Sequence, residues 1–133
     1  FFERNRQLYY DNLMRVRTHH GLTQWLKFFL TGVIEISQKG VETFDGILQL
    51  KANLEKKLSG LGSRAGDAQK VINYLYQRQV VDAAKVIEIT GKSKATAYKM
   101  IDELEKMEIL KEISGSKRNK LYLFSDYINL FND

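Results

Sequence analysis

The sequence contains no cysteine and no proline, and only two of its 133 residues are histidine. Without cysteine there are no disulfides and no thiolate zinc sites, and the chain suits a reducing cytoplasm. His19 and His20 are neighbours. Consecutive residues on a helix point in different directions, so the pair is not a chelating set and no metal is expected. With no proline, glycine and serine must punctuate the helices and strands. Long apolar runs are missing too. The most hydrophobic stretch, 25–36, is interrupted by Lys27, Thr31 and Glu35, so no membrane span and no membrane partner are expected. Phe1-Phe2-Glu3-Arg4-Asn5-Arg6 is not followed by the apolar segment of a secretory signal. It also lacks an initiator methionine, so the chain reads as a piece of a longer protein.

What is present is enough to build a core. Apolar residues make up 44% of the chain, with seven Phe, seven Tyr and one Trp, which argues against disorder. The net charge of +5 is compatible with a nucleic-acid partner without requiring one.

Periodicity divides the chain in two. Leu8, Tyr9, Leu13 and Val16 recur at helical spacing over 3–18, and His19-His20-Gly21 ends that helix. Thr23 is placed to cap the next helix, which runs to about Lys39 and is apolar on most sides. Gly40 is expected to break it. An amphipathic helix follows over 41–58, with Phe44, Ile47, Leu48, Leu54 and Leu58 on one side. Ser59-Gly60-Leu61-Gly62-Ser63 is the clearest interruption and sets the expected boundary. Residues 1–60 then form a helical segment suited to linking or dimerisation, and a homodimer is expected through the 25–36 and 41–58 helices.

The second half has a different pattern. A helix over 68–77 carries Val71, Ile72, Leu75 and Tyr76 on one face. Val80-Val81 offers at most a one-rung strand. Asp82 caps a short helix over 83–90, and Gly91 closes it in the left-handed conformation that glycine adopts cheaply. Ser93 caps the next helix, whose inner face is Ala97, Ile101 and Leu104. Strands over 109–113 and 121–124 flank the polar turn 114–120 as a hairpin, and a short helix over 126–131 follows. The expected fold is mainly α: a helical N-terminal segment followed by a winged helix-turn-helix domain over 65–131 with a small antiparallel β-hairpin.

That order of elements leaves the third helix free to enter a major groove, its N-terminus directing amides and positive dipole at phosphates. The candidate DNA-binding residues are Ser93, Lys94, Ala95, Thr96, Tyr98 and Lys99 on that helix, and Lys117, Arg118, Asn119 and Lys120 on the hairpin tip. Small and hydroxyl side chains permit close approach, and lysines supply charge. Asp102, Glu103 and Glu105 on the same helix oppose phosphate. The partner expected is therefore double-stranded DNA. The alternative is a protein-interaction module that docks a partner or a catalytic domain.

The run Gly91-Lys92-Ser93-Lys94-Ala95-Thr96-Ala97-Tyr98-Lys99-Met100-Ile101-Asp102-Glu103-Leu104, followed by Ile109-Leu110, resembles the winged helices of bacterial regulators. Those domains often carry glycine where this chain has Glu108. Further forward, Phe2-Glu3-Arg4-Asn5-Arg6-Gln7-Leu8-Tyr9-Tyr10-Asp11-Asn12-Leu13 and Trp25-Leu26-Lys27-Phe28-Phe29-Leu30-Thr31-Gly32-Val33 resemble the region just after the catalytic motif of Fic-family proteins. The resemblance covers essentially the whole chain and implies the C-terminal regulatory part of a Fic-like protein. Such a parent would transfer AMP from ATP to a hydroxyl of a target protein. The family's His-Pro-Phe-x-Asp-Gly-Asn-Gly-Arg motif is absent here: there is no proline, Asp45-Gly46 is followed by Ile47, and Gly60-Leu61-Gly62 has no basic residue of the P-loop kind behind it. No catalytic residue carries over. The chain itself is expected to be no enzyme and to hold no cofactor, ATP belonging only to the parent's catalytic domain.

Overall fold

The computed structural model describes residues 1–132. They form six α-helices, one 3-10 turn and three short strands in the order α1 (Arg6–His19), α2 (Leu22–Ser59), the 3-10 turn (Gly62–Arg64), α3 (Ala65–Gln77), β1 (Val80–Asp82), α4 (Ala83–Thr90), α5 (Lys94–Lys106), β2 (Lys111–Glu112), β3 (Leu121–Leu123) and α6 (Ser125–Asn129). The protein is thus mainly helical with a small antiparallel sheet. Among the described residues, no helix is long and apolar enough to cross a membrane. The chain falls into two compact units, Phe1–Asp45 and Gly46–Asp133.

In the first unit, α1 ends where His20 takes the left-handed conformation at φ 53°. An aromatic cluster joins α1 and the preceding residues to α2. Phe2 stacks on Phe29 at 5.6 Å, Phe1 lies 5.4 Å from Phe28, and Tyr9 meets Trp25 edge-on at 5.0 Å. Gly32 makes this packing possible. A Cβ there would sit 2.5 Å from a Phe1 ring carbon and 2.7 Å from Phe2 Cζ. Asn12 is buried beside the cluster and donates from Nδ2 to the Leu8 carbonyl at 2.8 Å.

Two expectations about α2 are corrected. Gly40 does not break it, and the helices expected on either side are one helix. A glycine in a helix interior costs only about 1 kcal/mol, and termination needs a left-handed cap that Gly40 does not form. Thr23 lies inside α2 rather than at its cap, because the Gly21 carbonyl already accepts from Trp25 N at 3.1 Å. The boundary between units also lies earlier than 59–63. Leu54, Leu58 and Leu61 are buried in the core of the second unit, so the last turns of α2 belong to it.

That core is continuous. Val71, Ile72 and Leu75 of α3, Val86 of α4, Ala97, Met100, Ile101 and Leu104 of α5, and Tyr122 and Phe124 all join it. The sheet has three strands in the order β1-β3-β2, one more than a hairpin. Val81 opposes Tyr122, and Glu112 opposes Tyr122 from the other side. Phe124 N donates to the Gln79 carbonyl at 2.9 Å and extends the β1 pairing. β2 is shorter than 109–113, because Ile109 and Leu110 are still tied to the end of α5. Ile109 N and Leu110 N both donate to the Leu104 carbonyl, at 2.9 and 3.2 Å, and Glu108 N donates to the Glu105 carbonyl at 2.9 Å. α6 covers Ser125–Asn129 rather than 126–131.

These bonds are a Schellman close, with Leu104 and Ile109 as its buried apolar pair and Glu108 at the left-handed position, φ 59°. Glutamate is held where glycine is at ease. A non-glycine residue there costs about 1–2 kcal/mol, of which glycine's greater unfolded-state freedom returns roughly half. Glu108 is exposed. Glu108→Gly is therefore expected to stabilise the protein by about 0.5–1 kcal/mol, read as a higher urea midpoint at unchanged m-value. A lower midpoint would show that the Glu108 side chain contributes more than its backbone costs.

Candidate nucleic-acid interface

α4 and α5 pack against each other around the Gly91 turn, where φ is 65°. Each begins with a side-chain cap. Asp82 Oδ1 accepts from Lys85 N at 2.7 Å, and Ser93 Oγ accepts from Thr96 N at 3.3 Å. Ser93 Oγ also lies 2.9 Å from Thr96 Oγ1, so the two hydroxyls are tied together at the first turn of α5. The buried residues of α5 are Ala97, Met100, Ile101 and Leu104. Lys94, Ala95, Tyr98 and Lys99 are consequently exposed, and Thr96 is half-buried. Tyr98 is 45% exposed, and the Lys94 ammonium stands 5.9 Å from its ring centroid.

The connection between β2 and β3 is organised by Glu112. Its Oε1 accepts from Ser114 N at 2.7 Å, Ser114 Oγ at 2.5 Å and Gly115 N at 2.9 Å. These bonds, the Ser114 hydroxyl first, hold the carboxyl below its usual range. Ser114 Oγ in turn accepts from Leu121 N at 3.2 Å across the turn. Gly115 and Asn119 take positive φ, at 62° and 51°. Lys117, Arg118, Asn119 and Lys120 are all exposed at the tip.

One residue of the turn, Asn119, meets the first turns of α5 in a groove. The groove, of about 280 Å³, is lined by Lys94 and Tyr98 of α5, by Asn119 of the turn, and by Asp82, Ala83, Ala84 and Ile87 around the start of α4. The α4 contribution is not legible in the sequence. Ala83 and Ala84 are small residues at a helix start, and their role depends on how α4 packs rather than on a local pattern. The bracket formed by Glu112 and Ser114 escapes sequence reasoning as well. Its signal is a carboxylate two residues before a Ser-Gly turn, the spacing at which a side chain reaches forward amides.

Two of the three acidic residues of α5 are ion-paired. Glu103 Oε1 pairs with Arg64, and Lys106 Nζ lies 2.6 Å from Asp102 Oδ2. Lys92, just before α5, is held 3.4 Å from Asp67 Oδ2, and Lys70 Nζ lies 3.1 Å from Asp67 Oδ1. Those lysines, Lys70 first, lower the Asp67 pKa. At the other end of α5, Lys57 Nζ donates to the Met107 carbonyl at 2.9 Å, a cation on the negative end of the helix. No family model matches the chain, and no curated protein matches it.

Proposed function

We propose that the second unit is a winged helix-turn-helix that binds double-stranded DNA, with α5 as the recognition helix and the 114–120 turn as the wing. The observation that carries this reading is the shared groove, lined by Lys94 and Tyr98 of α5 and by Asn119 of the turn. A helix with its side chains is about 10–12 Å across, close to the width of the B-DNA major groove. With the N-terminal turn of α5 in that groove, Lys94 and the capped end meet phosphate, and Tyr98 and Lys99 reach base edges. The wing then lies over the adjacent backbone or minor groove. The pairing of Glu103 with Arg64 and Asp102 with Lys106 supports the reading, because it offsets two of the three negative charges on α5.

We further propose that the chain is the regulatory C-terminal portion of a Fic-like protein, itself without AMP-transfer chemistry. This rests on the similarity of 2–13 and 25–33 to the helices that follow the catalytic motif in that family. A protein target and ATP would belong to the parent domain.

Fluorescence anisotropy with random and selected duplexes across a salt series tests the DNA reading. Affinity is expected to fall steeply with salt. Replacing Tyr98 or Lys99 with Ala is expected to change which sequences are preferred, by about 1–3 kcal/mol for each base pair no longer discriminated. No binding by the intact protein at low salt would overturn the proposal and favour a protein partner for the same surface.

A further inference from the structure

Beyond the DNA reading, and independently of it, the first unit carries a surface whose chemistry specifies a partner. We propose that α2 pairs antiparallel with α2 of a second copy of this chain. Nine large apolar side chains of α2 within this unit stand exposed: Leu22, Leu26, Phe29, Leu30, Val33, Ile34, Ile36, Val41 and Phe44, at 39–61% each. At helical spacing they fall on one continuous stripe. Trp25, Phe28 and Gly32, which meet the aromatic cluster, lie to one side of it, and Gln24, Glu35, Gln38 and Glu42 lie opposite. The stripe is about 35 Å long, enough for a helix–helix seam.

Two arguments select a second copy. The first is area. Half-exposure of nine such side chains, each of the order of 150–200 Å², leaves roughly 700–800 Å² of apolar surface per copy, close to the roughly 800 Å² per partner of a stable interface. A monomer's exposed apolar patches rarely reach that size.

The second is charge. Lys27 and Asp45 border the stripe on the same edge and are both exposed. They stand about five helical turns apart, about 27 Å. When two identical helices pack antiparallel about a two-fold axis, like edges face each other end for end. With the axis at Ile36, that side chain packs against its own equivalent at the centre of the seam. Lys27 of each copy then stands level with the partner's Asp45, making two ion pairs. A parallel pair in register leaves Lys27 level with its own equivalent and about 27 Å from any Asp45.

Sedimentation velocity on the full chain at micromolar concentration, with helicity followed by circular dichroism, tests this. The chain is expected to be a dimer. Leu30→Glu or Ile34→Glu, at positions more than half exposed, is expected to give a monomer of unchanged helicity. Lys27→Asp is expected to weaken dimerisation roughly tenfold, because both symmetry-related pairs become repulsive. Lys27→Asp combined with Asp45→Lys is expected to restore it. A monomeric wild type, or a dimer indifferent to Leu30→Glu and Ile34→Glu, overturns the self-pairing. Failure of the double charge swap to restore what Lys27→Asp loses overturns the antiparallel arrangement.

Discussion

Leu104→Ala is expected to destabilise the second unit by about 2–5 kcal/mol and to lower its Tm by roughly 10–30 °C. Leu104 is 0% exposed and lies in the middle of the core, with Ala97, Met100 and Ile101 on the same face of α5. Truncation removes buried methyl groups and leaves a cavity that Ile109, the apolar partner of the Schellman close, cannot fill without giving up its bond to the Leu104 carbonyl. The consequence reaches beyond stability. That carbonyl also anchors Leu110 N, the last residue before β2, so loosening the end of α5 loosens the root of the basic turn. A unit of this size has about 5–13 kcal/mol of total stability, and the loss is a large share of it. Thermal melts followed by far-ultraviolet circular dichroism measure the effect. An unchanged Tm would mean that α5 does not dock through this face.

The parts of this architecture that are legible in the sequence are the parts encoded locally. Asp82, Gly91 and Ser93 each act through a hydrogen bond or a backbone conformation within a few residues, and each cap forms as its residue type implies. The inner face of α5 follows from helical spacing in the same way. What stays hidden depends on distant residues. Val80-Val81 has too little local pattern to announce a full strand; β1 exists because Leu121–Leu123 is brought alongside it by the packing of α3 to α5. Gly40 looks like a stop signal by composition. A stop needs a left-handed residue with its capping bonds, and the residues flanking Gly40 continue as helix instead. Leu54 and Leu58 read as a linker face, and Leu61 as part of a break, until α3 is present to bury them. The candidate site divides the same way. The residues of α5 and the turn can be named from their order in the chain, whereas the role of Asp82, Ala83 and Ala84 in the groove requires the packing of α4 on α5.

Replacing Lys117, Arg118 and Lys120 together with Ala is expected to weaken binding to every duplex alike and to flatten its salt dependence. Each lysine or arginine that neutralises a phosphate releases condensed counterions, and contributes close to one unit to the slope of log K against log salt. Removing all three cations would reduce that slope by up to about three units and lower affinity at low salt by up to about three orders of magnitude. The side chains are fully outside the core, and the turn that carries them is held by Glu112, Ser114 and Gly115, so the substitutions leave its scaffold intact. Sequence preference is expected to survive, because the base contacts we propose belong to Tyr98 and Lys99 on α5. Lys106→Ala supplies the contrast. That lysine is also exposed and cationic, but it sits at the C-terminal end of α5, paired with Asp102. Its loss is expected to leave the slope unchanged. A general effect of net charge would make the two variants differ only in proportion to the charges removed. Direct phosphate contact makes the loss specific to the turn. If the triple variant binds with the slope of the wild type, Lys117, Arg118 and Lys120 are only solvated, and α5 makes the DNA contacts without them.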